Sequence, residues 1–373
     1  MTVTLPAHPA RATAPPLTLA ERARGHVART LCRLPDAARR LLSGEPAIVV
    51  DGQTLDPGLQ LVRALRRRLH HFGYCEPSVA AARARLRREI EAFTGERTEV
   101  GAVRDMTITG AAGALGARHY APPSSAAEGP RPLLVYLHGG GYVICDLDTH
   151  DEACRLLCRH GRMHVLSVDY RLAPEHPFPA ALDDAHAALR WAQANAAALG
   201  ADPSRVALGG DSAGGTLATV VSRLTAREGA PPAAQLLIYP ATDSETPRPS
   251  HVLFREGFFL DARDRDDFAR HYLRGVPVTG ADPRISPLLA PDLGRLPPAL
   301  VVVAGFDILR DEGDAYAAAL AAAGTVVHTL RFPSLGHSFV NMTGLCSSTR
   351  HAMAQTARSF AALLDAPPEE RGP

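Results

Sequence analysis

The chain has 373 residues, 46 % of them hydrophobic and 21 % charged, with a formal net charge of +1. That length is above the ~250–300 residues at which a single core stops growing, so one large domain with an accessory piece is expected. The near-neutral charge argues against a nucleic-acid binder or a polybasic membrane protein, and no run approaches the ~18 apolar residues of a membrane span. All 40 basic residues are arginine, which reads as a compositional bias and not as a functional signal. Six cysteines (Cys32, Cys75, Cys145, Cys154, Cys158 and Cys346) contain no C-x-x-C pair. They are expected as buried small hydrophobes in a reducing, cytoplasmic setting, not as zinc ligands.

Residues 1–18 are rich in Pro, Ala and Thr and are expected to be poorly ordered. From Leu19 to about Thr94 the pattern is helical, with Leu61, Leu65 and Leu69 on one face and Ala82, Leu86, Ile90 and Phe93 on another. The Arg run 66–68 reads as a solvated helix face. Strands are expected at 100–109 and 115–120, and Leu133 to Leu137 reads as a buried strand entering a Gly-rich turn. Further strands at 164–169, 205–209, 234–239, 299–304 and 326–332 alternate with helices at about 149–161, 180–199, 213–228 and 311–323. Continuous apolar strands separated by helices predict an α/β fold, with a mostly parallel central sheet flanked by helices. About 60 residues between Tyr239 and Ala299 break the alternation and hold one expected helix, 261–274. A segment that long is read as part of a helical cap. The expected division is an N-terminal extension and cap segment (1–98), a catalytic domain (99–365) with a cap insertion at about 243–290, and a disordered tail (366–373).

Gly210-Asp211-Ser212-Ala213-Gly214 follows the strand Val206-Ala207-Leu208 and precedes the helical run from Thr216. G-x-S-x-G between a strand and a helix is a nucleophile elbow, with Ser212 on a turn too tight for neighbouring side chains. His138-Gly139-Gly140-Gly141 follows the Leu133–Leu137 strand. The N–H groups of Gly139 and Gly140, with that of Ala213, are expected to receive a substrate oxyanion. A serine hydroxyl needs a base. Of 16 histidines, chain order Ser…Asp…His selects His337 after the last strand and Asp307 after the strand before it. Asp311 and Glu312 rival Asp307 but fall in the first turn of the next helix, where acids serve the helix dipole. His328, within a strand, reads as structural, and His351 as part of a C-terminal helix facing away. Tyr142, Asp211, Phe258 and Ile308 are the candidates for substrate contacts.

The chain resembles the hormone-sensitive-lipase-like, or bacterial family IV, esterases of the α/β-hydrolase superfamily. The resemblance is carried in family order by His138–Tyr142, Asp169–Ala180, Gly210–Gly215, Ser286–Leu289, Asp307–Gly313 and Gly336–Phe339, and covers about residues 100–365. It implies a small-molecule carboxylic ester substrate with a fairly short acyl chain, the triad Ser212, Asp307 and His337, no metal and no organic cofactor. It also implies dimerisation through the edge strand 326–332. Two departures stand out: Ile308 where the family usually has Pro, and Ser338 where it usually has Gly. Within the Asp169–Ala180 segment, Arg171, Glu175 and His176 are read as shaping a loop behind the site. A lactonase, amidase or acyl transferase on the same machinery, or a receptor that keeps the fold without turnover, are the competing readings. The complete set Ser212, Asp307 and His337 argues against the receptor.

Overall fold

The computed structural model describes residues 16–68, 74, 77–123, 129–294 and 296–366. Residues 1–15 of the expected disordered segment, Leu69, Cys75 and residues 367–373 of the expected tail lie outside them. Four helices lead the chain: α1 (Leu19–Cys32), α2 (Asp36–Ser43), α3 (Pro57–Arg68) and α4 (Val79–Thr94). Between α2 and α3 stands a two-stranded hairpin, β1 (Val49–Val50) and β2 (Gln53–Thr54), where the periodicity predicts helix. Its turn is Asp51-Gly52 with φ of 54° and 73°, the mirror-image turn that Asp-Gly favours. The dipeptide was the available signal; strands of two residues leave no periodicity.

The rest alternates as predicted: β3 (Ala102–Gly110), β4 (Gly113–Ala121), β5 (Arg131–Leu137), α5 (Asp151–Gly161), β6 (His164–Val168), α6 (Ala180–Asn195), β7 (Ala201–Asp211), α7 (Ala213–Arg227) and β8 (Gln235–Ile238). Then come α8 (Pro249–Leu253), α9 (Ala262–Tyr272), β9 (Ala299–Phe306), α10 (Arg310–Ala322), β10 (Val327–Gly336) and α11 (Ser347–Asp365). The eight-stranded sheet has the order β10-β9-β8-β7-β5-β6-β4-β3, parallel from β10 to β6 and antiparallel at β4 and β3. Central strands are apolar throughout because helices cover both faces: Leu133 to Leu137 and Ala299 to Phe306 are buried without exception. Burial of these runs is the main drive for the fold.

Edge strand β10 exposes His328, Thr329 and Arg331. Its C-terminal end is covered by the hairpin region, where the Asp56 N–H donates to Ser334 O at 2.9 Å, one way of blunting an open edge. The five described cysteines are free and buried. Two of them, Cys32 at the end of α1 and Cys346 before α11, have thiols in hydrogen-bond contact.

The leading helices are bolted down by arginine. Arg83 of α4 donates to Val143 O (2.7 Å), Ala173 O (2.8 Å) and both oxygens of Glu175 (2.8 Å each), and Arg87 pairs with Asp146. Arg171 clamps Asp184 at 2.7 and 3.0 Å, while His176 is exposed. Arg171 and Glu175 therefore shape their loop, as read from the sequence. The leading helices also meet the 243–290 segment: Arg63 donates to Gly257 O at 2.7 Å, and the Tyr74 N–H to Asp264 Oδ1 at 2.9 Å.

Candidate active site

Ser212, Asp307 and His337 are each the first residue after a strand of the sheet, β7, β9 and β10. Parallel strands end on one edge, so three positions far apart in sequence meet there. Ser212 has φ 52° and ψ −122°, a conformation that costs of order 1–3 kcal/mol and persists only where the surroundings enforce it. The enforcement is close packing: a Cβ on Gly210 would lie 2.2 Å from Leu137 O, and one on Gly214 1.9 Å from the same atom. The Ser212 N–H donates to Ile238 O at 2.8 Å, fixing the turn to β8.

His337 Nε2 lies 3.0 Å from Ser212 Oγ, and His337 Nδ1 lies 2.8 Å from Asp307 Oδ2. The other oxygen, Asp307 Oδ1, accepts the Leu309 N–H at 2.9 Å. Both the imidazole and the carboxylate are buried. Rival acids go elsewhere: Asp311 accepts the Ser250 N–H (2.8 Å) and Arg310 Nε (2.8 Å), and Glu312 accepts the Thr242 N–H (2.7 Å). His328 and His351 are exposed and away from this group. Ser338, at a usual glycine position, adopts φ 61° and ψ 20°. This left-handed conformation explains the glycine preference there.

The glycine loop differs in one respect from the sequence expectation. The Gly139 N–H donates to Asp211 Oδ1 at 2.9 Å, so it is already engaged and does not face a substrate oxygen. Among the described residues the N–H groups of Gly140, Gly141 and Ala213 have no protein acceptor. Gly140 (φ 114°) and Gly141 (φ 59°) turn the chain here. Beneath the loop, the Asp211 carboxylate also accepts from Tyr136 Oη (2.7 Å) and lies 3.3 Å from His150 Nε2. Burial alone would raise its pKa, but His150 and the hydrogen bonds from Tyr136 and Gly139 hold it below the usual carboxylate range. Asp211 borders the cavity, yet these groups occupy its carboxylate.

The triad and loop open on a cavity of about 350 Å³. Its walls include Tyr142, stacked on Tyr272 with ring centroids 3.8 Å apart, and Phe268, Leu273 and Ile285. Helices α3 and α4 add Val62, Arg66, Leu86, Glu89, Ile90 and Phe93. Two expected wall residues are not there. Phe258 packs against Phe254 and Phe306 at 5.3 and 5.7 Å, under the Arg63 guanidinium. Ile308 is buried in the core, and its neighbour Leu309 faces the cavity instead. Near-helical spacing of aromatics does not tell which of two apolar environments a ring enters. Beside the cavity, Asp243 ties its own turn through the Glu245 and Thr246 N–H groups (3.0 Å each), and Glu245 is one of the lining residues. Arg66 corrects the solvated reading of the Arg run: Arg67 and Arg68 are exposed, but Arg66 turns to the cavity.

His138 and His119 are buried, and desolvation lowers both to about 4, with His150 and His164 adding to the effect. An unfolded histidine titrates near 6.5. Below that pH the unfolded chain binds protons that the folded chain refuses, so stability is complete above about 6.5 and is lost as pH falls toward 4. The loss is on the order of 3 kcal/mol per residue at most. Urea unfolding at pH 7.5, 6 and 5 should show falling stability, less steeply in His119→Gln; equal midpoints at all three pH values would contradict it.

A family model described as an alpha/beta hydrolase fold matches residues 134–341. With the sheet order and the Ser–His–Asp group above, it defines the class: the chain belongs to the α/β-hydrolase family, in its hormone-sensitive-lipase-like esterase branch. It is 50 % identical over 316 residues to the carboxylic ester hydrolase LipN of Mycobacterium tuberculosis, covering 83 % of each chain. It is 40 % identical over 309 residues to the ethyl acetate hydrolase of Pseudomonas putida, covering 81 % of this chain and 96 % of that one. Among solved structures it is similar to the ester hydrolase EH1AB1 from the Lake Arreo metagenome, in complex with a bipyridine phosphonate derivative. The TM-score is 0.80 at 40 % identity, over 84 % of this chain and 100 % of the other. Among the described residues no helix is long and apolar enough to cross a membrane.

Proposed function

We propose that this chain hydrolyses carboxylic esters of short- to medium-length acyl chains through an acyl-enzyme on Ser212. One observation carries the reading: His337 bridges Ser212 and Asp307 at 3.0 and 2.8 Å beside the cavity. Ser212 Oγ attacks the ester carbonyl while His337 takes its proton. Asp307 holds the imidazole with Nε2 toward the serine and stabilises the imidazolium. The N–H groups of Gly140, Gly141 and Ala213 receive the oxyanion, Gly139 serving to anchor the loop. The alcohol leaves with the proton from His337, and water repeats the cycle on the acyl group. The four leading helices and the 243–290 segment act as the cap.

A cavity of about 350 Å³ lies at the small end of the ~300–1,000 Å³ range of ligand sites, which favours short acyl groups. With p-nitrophenyl esters from acetate to palmitate, kcat/KM should peak at short chains and fall steeply toward palmitate. A maximum at palmitate, or no hydrolysis of any ester by folded protein, would overturn the reading.

A further inference from the structure

Cap helices α3 and α4 present more than an apolar wall. Val62 and Arg66, four residues apart, share one face of α3, and Leu86, Glu89, Ile90 and Phe93 share one face of α4. All six border the cavity. The Arg66 guanidinium carbon lies 5.6 Å from the Tyr74 ring centroid, a cation–π contact. Glu89 is close enough to act electrostatically on both Arg66 and Tyr74. Among the described residues Arg66 has no carboxylate partner at ion-pair distance. A guanidinium has five donors, and a ring contact of this kind leaves them open to a ligand.

The wall thus offers donors from Arg66 and Tyr74 and acceptors from Glu89, with formal charges that cancel. An alkyl chain lying there leaves these groups without partners in an apolar setting. A carboxylate gains from Arg66 but is repelled by Glu89, and an ammonium meets the reverse. A hydroxyl or carboxamide uses both, accepting from Arg66 and donating to Glu89. We infer that this part of the cavity is a polar subsite, and that the enzyme prefers esters with a terminal uncharged hydrogen-bonding group, hydroxyl or carboxamide, over plain alkyl esters. The inference rests on the ester-hydrolase reading above and names the substrate class of that site.

The test compares kcat/KM by pH-stat for matched pairs: ethyl hexanoate with ethyl 6-hydroxyhexanoate and the ethyl ester of adipic monoamide on the acyl side, and hexyl acetate with 6-hydroxyhexyl acetate on the alcohol side. In the wild type, polar members of at least one side should exceed the alkyl member by about tenfold, the size of one buried hydrogen bond to a charged group. Monoethyl adipate should gain less than the hydroxy ester. In Arg66→Met and in Glu89→Gln the polar-to-alkyl ratio should fall toward one, and the wild-type ratios decide even if one variant fails to fold. Alkyl members equal to or faster than polar ones on both sides would overturn the subsite, as would ratios unchanged in both variants. Absence of Ser212-dependent turnover of any ester, ethyl acetate included, would instead overturn the esterase reading and the subsite with it.

Discussion

Ser212→Ala should lower kcat by on the order of 10⁴ or more while leaving the fold intact. Among the described residues the Ser212 hydroxyl is the nucleophile paired with the His337–Asp307 couple, with His337 Nε2 at 3.0 Å to take its proton. Removing Oγ deletes one atom from a turn held by the backbone, through Gly210, Gly214 and the Ser212 N–H to Ile238, so stability should change little. The residual rate comes from the oxyanion donors and from binding. Burst kinetics with a p-nitrophenyl ester check the same step: wild type should release a first equivalent of nitrophenol at the acylation rate, and the variant none. Turnover within tenfold of wild type would remove Ser212 from the mechanism.

Asp211→Ala should fail in two ways at once. It strands the Tyr136 hydroxyl and the Gly139 N–H, both paired with Asp211 Oδ1 at 2.7 and 2.9 Å, and removes the carboxylate that lies 3.3 Å from His150 Nε2. Leaving a buried donor unsatisfied costs ~1–3 kcal/mol for each of the two. It also frees the glycine loop, so Gly140 and Gly141 lose their aim. Misplacing an oxyanion donor costs ~10²–10³ in kcat. These contacts predict a positioning role for Asp211, and the separation of kcat from KM distinguishes it from a substrate contact. The prediction is a fall in kcat with KM little changed, and a partial recovery in Asp211→Asn, whose amide oxygen still accepts from Gly139. A rise in KM alone would return Asp211 to the substrate-contact role that its motif position suggested.

The meeting of Ser212, Asp307 and His337 was legible because its signals are topological. G-x-S-x-G between a strand and a helix has few structural uses, and an acid and a histidine directly after the last two strands must lie on the same sheet edge as Ser212. Side-chain destinations in the cap were less legible. Arg66 faces the cavity while the next two residues of its helix are exposed, and Phe258 enters an apolar cluster from an irregular segment between α8 and α9; residue spacing does not separate these destinations. The engagement of Gly139 depends on the orientation of a single peptide plane, which no sequence pattern records. Ser338 marks the opposite case. It is a residue out of keeping with its family position whose cause, a left-handed backbone, becomes visible only once φ is known.

The bolts on α4 have a consequence for anyone exchanging caps between relatives. Arg83 grips the carbonyls of Val143, next to Tyr142 in sequence, and of Ala173, whose N–H donates to Tyr142 O, and Arg87 grips Asp146. The helix proposed to shape selectivity is therefore screwed to the same short stretch that carries the proposed oxyanion donors. A graft that brings in foreign residues at these two positions would detune the reaction centre while intending only to change what enters it. Carrying both arginines along with the graft would keep the two properties separable.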